Sequence, residues 1–399
     1  MWPLNMILVM GVSCVNAEWQ KIMLPTYGGA VCLDGSPGGF YYRQGNGSKW
    51  LIFHQGGGWC SSHLECYERA QTELGSSRFW AASLRGVYGG TTLFRAPQFH
   101  HFHVVYALYC DGGSWVGNGQ TRVNGKQVYY RGRPLLDALL AVMIPMGLSH
   151  ATEVIYSGCS AGALAVYFNV DYVHRRILKV NPRARVVGIA DSMFTFEYPL
   201  SPFSKRMRWG YQAWNVSGAI HQSCTNSFNR TRAWYCMFAE NLVPFIDTSL
   251  FILESENDCW QQAAYVNLNC RECKTQLEHT KIQKLKRVPL HMAVFLTRCG
   301  GHCVTAFENT EEINGSTVSE AFIEWYANVG ANYKRIGDDF YFNGVFSVSK
   351  YLPNNNLPPC ARDGCVDQNM YFGWRYLGIL GVMMVCVSIA LRTTNPMRL

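Results

Sequence analysis

Apolar positions along this chain fall in short unbroken runs that stop at glycine-rich or polar turns. Residues 51–54 break into Gln55-Gly56-Gly57-Gly58-Trp59-Cys60, and residues 102–109 break into Cys110-Asp111-Gly112-Gly113-Ser114-Trp115. Later runs at 153–157, 185–190, 249–253 and 291–296 end the same way, and such runs read as buried strands. The stretches 132–146 and 161–178 read as helices between them, and 318–327 as an amphipathic helix after them. This alternation predicts an α/β fold: a mainly parallel sheet with helices on both faces and sites at the carboxyl ends of its strands. Between 199 and 244 the pattern turns irregular and aromatic, with Trp209, Tyr211, Trp214, Trp234 and Tyr235, and reads as an insertion capping the sheet. Most of those aromatics are expected to form the cap's own core, with some available to select substrate.

The most informative turn is Gly158-Cys159-Ser160-Ala161-Gly162, after a strand and before small helix formers. It has the form of the nucleophile elbow of α/β-hydrolases, in which the serine stands on a strained turn and flanking glycines remove colliding side chains. Ser160 is the candidate nucleophile, and the unpaired N–H of Ala161 at the helix start can face a developing oxyanion. The pentapeptide alone also fits a helix N-cap, so the other strand ends must decide. The glycine triplet after 51–54 supplies Gly58 and Trp59 as further oxyanion donors. A carboxylate is needed to orient the imidazole, and Asp258, in the turn after 249–253, is best placed. Glu254 and Glu256 compete with it, whereas Asp247 precedes the strand and lies at the wrong end. His302 lies in the exit loop of the last strand and His291 at that strand's entry, so His302 is the candidate base. The order Ser160, Asp258, His302 is the hydrolase order.

Composition sets the compartment. The chain has 399 residues, 48% of them hydrophobic, enough to core one main domain. A formal charge of +8 is spread without a basic block, which fits a mildly basic surface able to tolerate an anionic polymer and is weak evidence for nucleic-acid binding; no nucleic acid is expected as a partner. Sixteen cysteines are too many for a cytosolic enzyme without metals. Residues 4–15 are almost all apolar and Val15-Asn16-Ala17 offers a small-residue cleavage site, so 1–17 reads as a signal peptide. Residues 374–391 are apolar apart from Arg375 and Ser388, with Arg392 and Arg398 beyond them, and read as a transmembrane helix in type I orientation. The expected order is signal peptide 1–17, hydrolase domain 18–352, disulfide-stapled stalk 353–373, transmembrane helix 374–391 and cytoplasmic tail 392–399. The product is a monomer of the secretory pathway or cell surface. Excluding Cys14 and Cys386, fourteen cysteines remain outside, and sequons at Asn46, Asn215, Asn229 and Asn314 agree with export. Cys270-x-x-Cys273 and Cys299-x-x-His302-Cys303 have zinc-ligand spacing, but exported thiols favour disulfides, so neither metal nor cofactor is expected. Cys159 is expected in a disulfide rather than as a second nucleophile, with Cys110 as a candidate partner that would pin the elbow to the neighbouring strand.

These residues carry a resemblance to the pectin acetylesterase and Notum family of carboxylesterases. It rests on Gly29-Ala30-Val31-Cys32-Leu33-Asp34-Gly35-Ser36-Pro37, Gly56-Gly57-Gly58-Trp59-Cys60, Tyr109-Cys110-Asp111-Gly112, Ser157-Gly158-Cys159-Ser160-Ala161-Gly162, Asn169-Val170-Asp171, Ala190-Asp191-Ser192 and the 299–303 segment. The family's serine, aspartate and histidine fall on Ser160, Asp258 and His302. Cys159, the Cys110-Asp111-Gly112 turn, and the closing Cys360 and Cys365 look more like the pectin acetylesterase branch. Gln55 stands where the family usually has Glu, which bears on a contact behind the oxyanion loop, and Ala163 where it usually has Gly, which bears on helix packing. The resemblance implies a serine carboxylesterase removing O-acetyl groups from an extracellular polysaccharide such as pectin. Its Notum side implies instead a deacylase that takes a fatty acyl group from a secreted protein. A membrane-tethered glycan-binding protein on an inactive hydrolase fold is the alternative outside enzymology.

Overall fold

The computed structural model describes residues 19–84, 99–256, 258–266, 271–297, 301–303 and 317–329. The expected signal peptide, stalk, transmembrane segment and tail lie outside these, as do Cys270, Cys299 and Asn314. Among the described residues no helix is long and apolar enough to cross a membrane.

In chain order the strands are β1 (Gln20–Met23), β2 (Gly39–Arg43), β3 (Lys49–His54), β4 (His103–Ala107), β5 (Gly119–Val123), β6 (Lys126–Tyr130), β7 (Glu153–Cys159), β8 (Arg185–Asp191), β9 (Leu250–Ser255) and β10 (Ala293–Thr297). The helices are α1 (His63–Arg69), α2 (Gly132–Met143), α3 (Ala161–Val180), α4 (Pro202–Ala213), α5 (Gln222–Ser227), α6 (Ala239–Leu242), α7 (Cys259–Tyr265), α8 (Arg271–Leu285) and α9 (Val318–Asn328). Eight strands form one sheet in the order β1-β2-β4-β3-β7-β8-β9-β10. From β4 to β10 every neighbouring pair is parallel, and at one edge β2 pairs antiparallel with both β4 and β1. The turns after β3, β4, β7, β8, β9 and β10 therefore share one edge of the sheet.

Helices cover both faces. A side chain at Gly188 of β8 would meet Leu250 of β9 and Val170 and Val166 of α3, so that face packs on α3. Phe251, one residue on and so on the opposite face, packs on Phe322 and Trp325 of α9. The expected mainly parallel α/β-hydrolase-type sheet is thus the fold of the described residues, with strand ends within about two residues of the apolar runs.

Two pieces, the β1–β2 edge and the β5–β6 hairpin, have no counterpart among the expected elements, while the irregular 199–244 stretch resolves into short helices. The edge strands β1 and β2 are short, and β2 opens on glycine, which weakens its pattern. The β5–β6 hairpin turns on Asn124 and Gly125, with φ of 49° and 75°. An Asn-Gly pair between two strands is a strong signature of such a turn. The 199–244 segment holds α4, α5, α6 and two 3-10 turns, stapled by Cys224–Cys236. Trp214 is fully buried in its core, against Trp209.

One expected pairing is corrected. Cys159 bonds Cys303, and Cys110 bonds Cys32. The Leu33 N–H donates to the Cys110 carbonyl at 3.0 Å, so Cys32 already lies against the β4 exit. Cys159 is met by the chain returning from β10 instead.

Candidate active site

The elbow is built by crowding. At Gly158 an added Cβ would lie 2.4 Å from the Gly162 carbonyl, and at Gly162 it would lie 2.0 Å from the His54 carbonyl, so neither position admits a side chain. This approach seats the start of α3 directly on the ends of β7 and β3. Ser160 is forced to φ 59° and ψ −122°, a conformation costly for a residue with a Cβ. Its N–H donates to the Asp191 carbonyl at 2.9 Å, which holds the strained turn to the end of β8.

The Gln55-Gly56-Gly57-Gly58 loop lies against this turn, since a Cβ on Gly56 would touch the Cys159 carbonyl at 2.8 Å and the Ser160 Cβ at 3.0 Å. Gly57 and Gly58 have φ of 142° and 65°, the backbone region that favours glycine. A side chain at Gly58 would meet nothing within 4 Å, so the loop is open there. Arg69 Nη2 donates to the Gly57 carbonyl at 2.9 Å and fixes the peptide that also carries the Gly58 N–H. Gln55 makes its contact as an amide: its Oε1 accepts from the Tyr109 N–H at 3.0 Å. Trp59 Nε1 donates to Ser114 Oγ, and Ser114 Oγ donates to the Ala161 carbonyl, both at 2.7 Å.

The ends of β9 and β10 contribute a carboxylate and an imidazole. Asp258 caps α7, its Oδ1 accepting from the Gln261 N–H at 2.9 Å, while Oδ2 lies 2.8 Å from His302 Nδ1. Asp258 is 0% exposed, His302 6% and Ser160 5%. Burial lowers the His302 pKa, but the Asp258 charge and hydrogen bond, with Asp191 and Glu254 farther off, outweigh it and leave it raised. The Trp260 ring stacks on the imidazole at 5.3 Å and also contacts Trp59 at 5.7 Å, and Phe203 of α4 closes on Trp59 from the other side.

Glu254, a competitor to Asp258 in the sequence, does a different job. Its carboxylate accepts from the Phe194 N–H and from Gln261 Nε2, and faces the buried Lys281 ammonium at 3.7 Å. Burial pushes its pKa up to about 7 even against the pull of Lys281. His291 points elsewhere, its Nε2 bonded to the Ile246 carbonyl at 2.9 Å.

The partner of Cys159 and the role of Ser192 could not be read from the sequence. The Cys159–Cys303 bridge joins the residue before Ser160 to the residue after His302. Ser192 Oγ donates to Asp191 Oδ1 at 2.7 Å and accepts from the Cys303 N–H at 2.7 Å, tying the His302 loop to the end of β8. Ala190-Asp191-Ser192 was visible as a strand-end motif, but only the fold reveals what it holds. Among the described residues, Cys303 and Cys273 are both disulfide-bonded, so these two sulfurs are not free thiolates; Cys270 and Cys299 lie outside the described residues.

Residues 17–343 match the profile of the family described as Pectinacetylesterase. The chain belongs to the pectinacetylesterase family. Pectin acetylesterase 5 of Arabidopsis thaliana is 29% identical over 341 residues, covering 75% of this chain and 78% of that protein. The palmitoleoyl-protein carboxylesterase Notum of Schmidtea mediterranea is 27% identical over 381 residues, covering 88% of this chain and 71% of that protein. Among solved structures, the Wnt deacylase Notum from Drosophila is similar at a TM-score of 0.68 and 25% identity, over 78% of this chain and 93% of that one. As a pectinacetylesterase-family protein the chain is a carboxylic ester hydrolase.

Proposed function

We propose that Ser160 is the nucleophile of this esterase, His302 its general base and acid, and Asp258 the carboxylate that holds the imidazole tautomer, with the N–H groups of Gly58, Trp59 and Ala161 receiving the oxyanion. The observation that carries this reading is a left-handed, strained Ser160 on the same sheet edge as a buried Asp258–His302 pair. In the first half-reaction His302 takes the hydroxyl proton as Ser160 Oγ attacks the ester carbonyl carbon. The tetrahedral oxyanion collapses, the alcohol leaves with the proton from His302, and the acyl group stays on Ser160. Water then attacks the acyl-enzyme with His302 again as base, which releases the acid and restores the serine. Asp258 holds the imidazole in place and stabilises the imidazolium.

The acyl group is acetyl and the alcohol side a hydroxyl of an extracellular polysaccharide such as pectin; the family and the Arabidopsis relative support this choice. The chain is exported by residues 1–17, folds its esterase domain over 18–352, and is held at the membrane through the stalk 353–373 and the span 374–391, with 392–399 inside. The 199–244 segment caps the site, supported by the Phe203 contact with Trp59. Ser160→Ala should lower p-nitrophenyl acetate hydrolysis by roughly 10⁴-fold or more; full activity in that variant rules the reading out.

A second reading keeps the chemistry and changes the substrate to a long-chain acyl group on a secreted protein. The overlap with 93% of the Drosophila Wnt deacylase chain favours it. A p-nitrophenyl ester series separates the two: kcat/KM that falls from acetate to octanoate supports the acetylesterase, and kcat/KM that rises supports the deacylase.

A further inference from the structure

The turn after β4 does no work in the mechanism so far, yet it is tightly constrained. Cys110 is held by its bond to Cys32. Asp111 Oδ2 accepts from the N–H groups of Gly113 and Trp115, at 3.0 and 3.1 Å. Gly112, Ser114 and Trp115 all have left-handed backbones, with φ of 68°, 56° and 57°. Glycine adopts this region freely, but a serine and a tryptophan in succession do so only when the surroundings over-determine it. Trp115 is wedged between the rings of Tyr109 and His54, at 4.7 and 4.5 Å.

The product of this strain is the aim of one hydroxyl. Ser114 is fully buried, and its N–H donates to Tyr109 Oη at 3.3 Å. Its Oγ accepts from Trp59 Nε1 and donates to the Ala161 carbonyl, each at 2.7 Å, so its single proton is committed to Ala161 and one lone pair to Trp59. Trp59 belongs to the glycine loop after β3 and Ala161 to the start of α3. These two segments carry the proposed oxyanion donors and reach the site from different strands. A tetrahedral intermediate needs donors from both within hydrogen-bond range at once, so their relative placement governs turnover.

We infer that Ser114 is a positioning residue of the esterase, a buried hydroxyl that clamps the Trp59 loop to the Ala161 end of α3 and so sets the spacing of the oxyanion donors. This rests on the assignment of Gly58, Trp59 and Ala161 proposed above. A purely structural hydroxyl would affect folding without a selective effect on kcat. Ser114→Gly separates these roles, because glycine accepts the left-handed backbone without strain while removing the clamp.

The test compares full-length wild type with Ser114→Gly, Ser114→Ala, Trp59→Phe and the Ser114→Gly/Trp59→Phe pair, reading kcat, KM and melting temperature on p-nitrophenyl acetate. Trp59→Phe keeps the backbone N–H but deletes the indole donor that Ser114 holds. Ser114→Gly should stay folded with kcat about 10- to 100-fold lower and KM changed by less than about threefold. The pair should be little worse than the more damaged single variant, because both remove one clamp. Wild-type kcat in Ser114→Gly, a KM rise at unchanged kcat, or losses that multiply would overturn the inference. If neither Ser114 variant folds, Trp59→Phe carries the test, and an unchanged kcat there overturns it. Ser160→Ala run alongside keeps the two levels apart: activity in Ser160→Ala sinks the nucleophile assignment, whereas an inactive Ser160→Ala with a fully active Ser114→Gly sinks only the clamp.

Discussion

His302 is pulled in opposite directions by its surroundings: burial lowers its pKa, and the Asp258 carboxylate at 2.8 Å, helped by Asp191 and Glu254, raises it further than burial lowers it. Neutral imidazole is the working form of a general base, so the acid limb of kcat/KM should lie above the ordinary histidine value of about 6.5. Asp258→Asn should bring that limb down and cut kcat by an order of magnitude near 10⁴, roughly what losing the tautomer hold costs. A wild-type limb at or below 6.5 would contradict the assignment. Glu254 and Asp111, also shifted upward, bear on stability. Burial pushes Glu254 from 4.5 up to about 7 and Asp111 from 3.8 up to about 6, so the folded chain keeps protons that the unfolded chain has released. The stability this adds is full below the unfolded values and is lost as pH rises through the folded ones. Wild type should therefore melt lower at pH 8 than at pH 5, and Glu254→Gln should show a smaller drop over that interval.

Among elements, the exits of β7, β8 and β10 are joined side by side by the Cys159–Cys303 bridge and by Ser192. The bridge spans 144 positions in sequence, against 12 for Cys224–Cys236. Loop entropy then makes its loss about 2 kcal/mol costlier than loss of the shorter one. Cys159→Ser/Cys303→Ser should lower both melting temperature and kcat, whereas Cys224→Ser/Cys236→Ser should lower stability less and leave kcat near wild type. Equal kcat in the two pairs would deny the longer bridge any part in the site. These elements also mark how far the sequence could be read. The elbow was legible because its crowding demands glycine at 158 and 162, and the parallel strands because each is buried and ends in a turn. Asp258 could be preferred over Glu254 only by its place in the turn; their division of labour depends on where α7 and α8 pack. The partner of Cys159 was not legible, because strand order does not reveal which loop folds back over the elbow. Nor was Ser114, whose left-handed backbone is imposed by Asp111 and the packed Trp115 rather than by a glycine in its place.

Taken whole, six parallel strands deliver their exits to one edge, two antiparallel strands close the far side, and the β8–β9 connection lays α4 beside Trp59. Chain segments far apart in sequence, around 58, 114, 160, 192, 258 and 302, are thereby collected on one edge of the sheet, although each taken alone has an ordinary structural explanation. Acylation of Ser160 is the step on which the proposed mechanism depends. Treating the full-length protein with a fluorophosphonate and mapping the adduct by peptide mass spectrometry tests that directly. The prediction is a single adduct on the Ser160 peptide, formed in step with loss of esterase activity and absent from Ser160→Ala; an adduct on another residue, or an active esterase that takes up none, would contradict it.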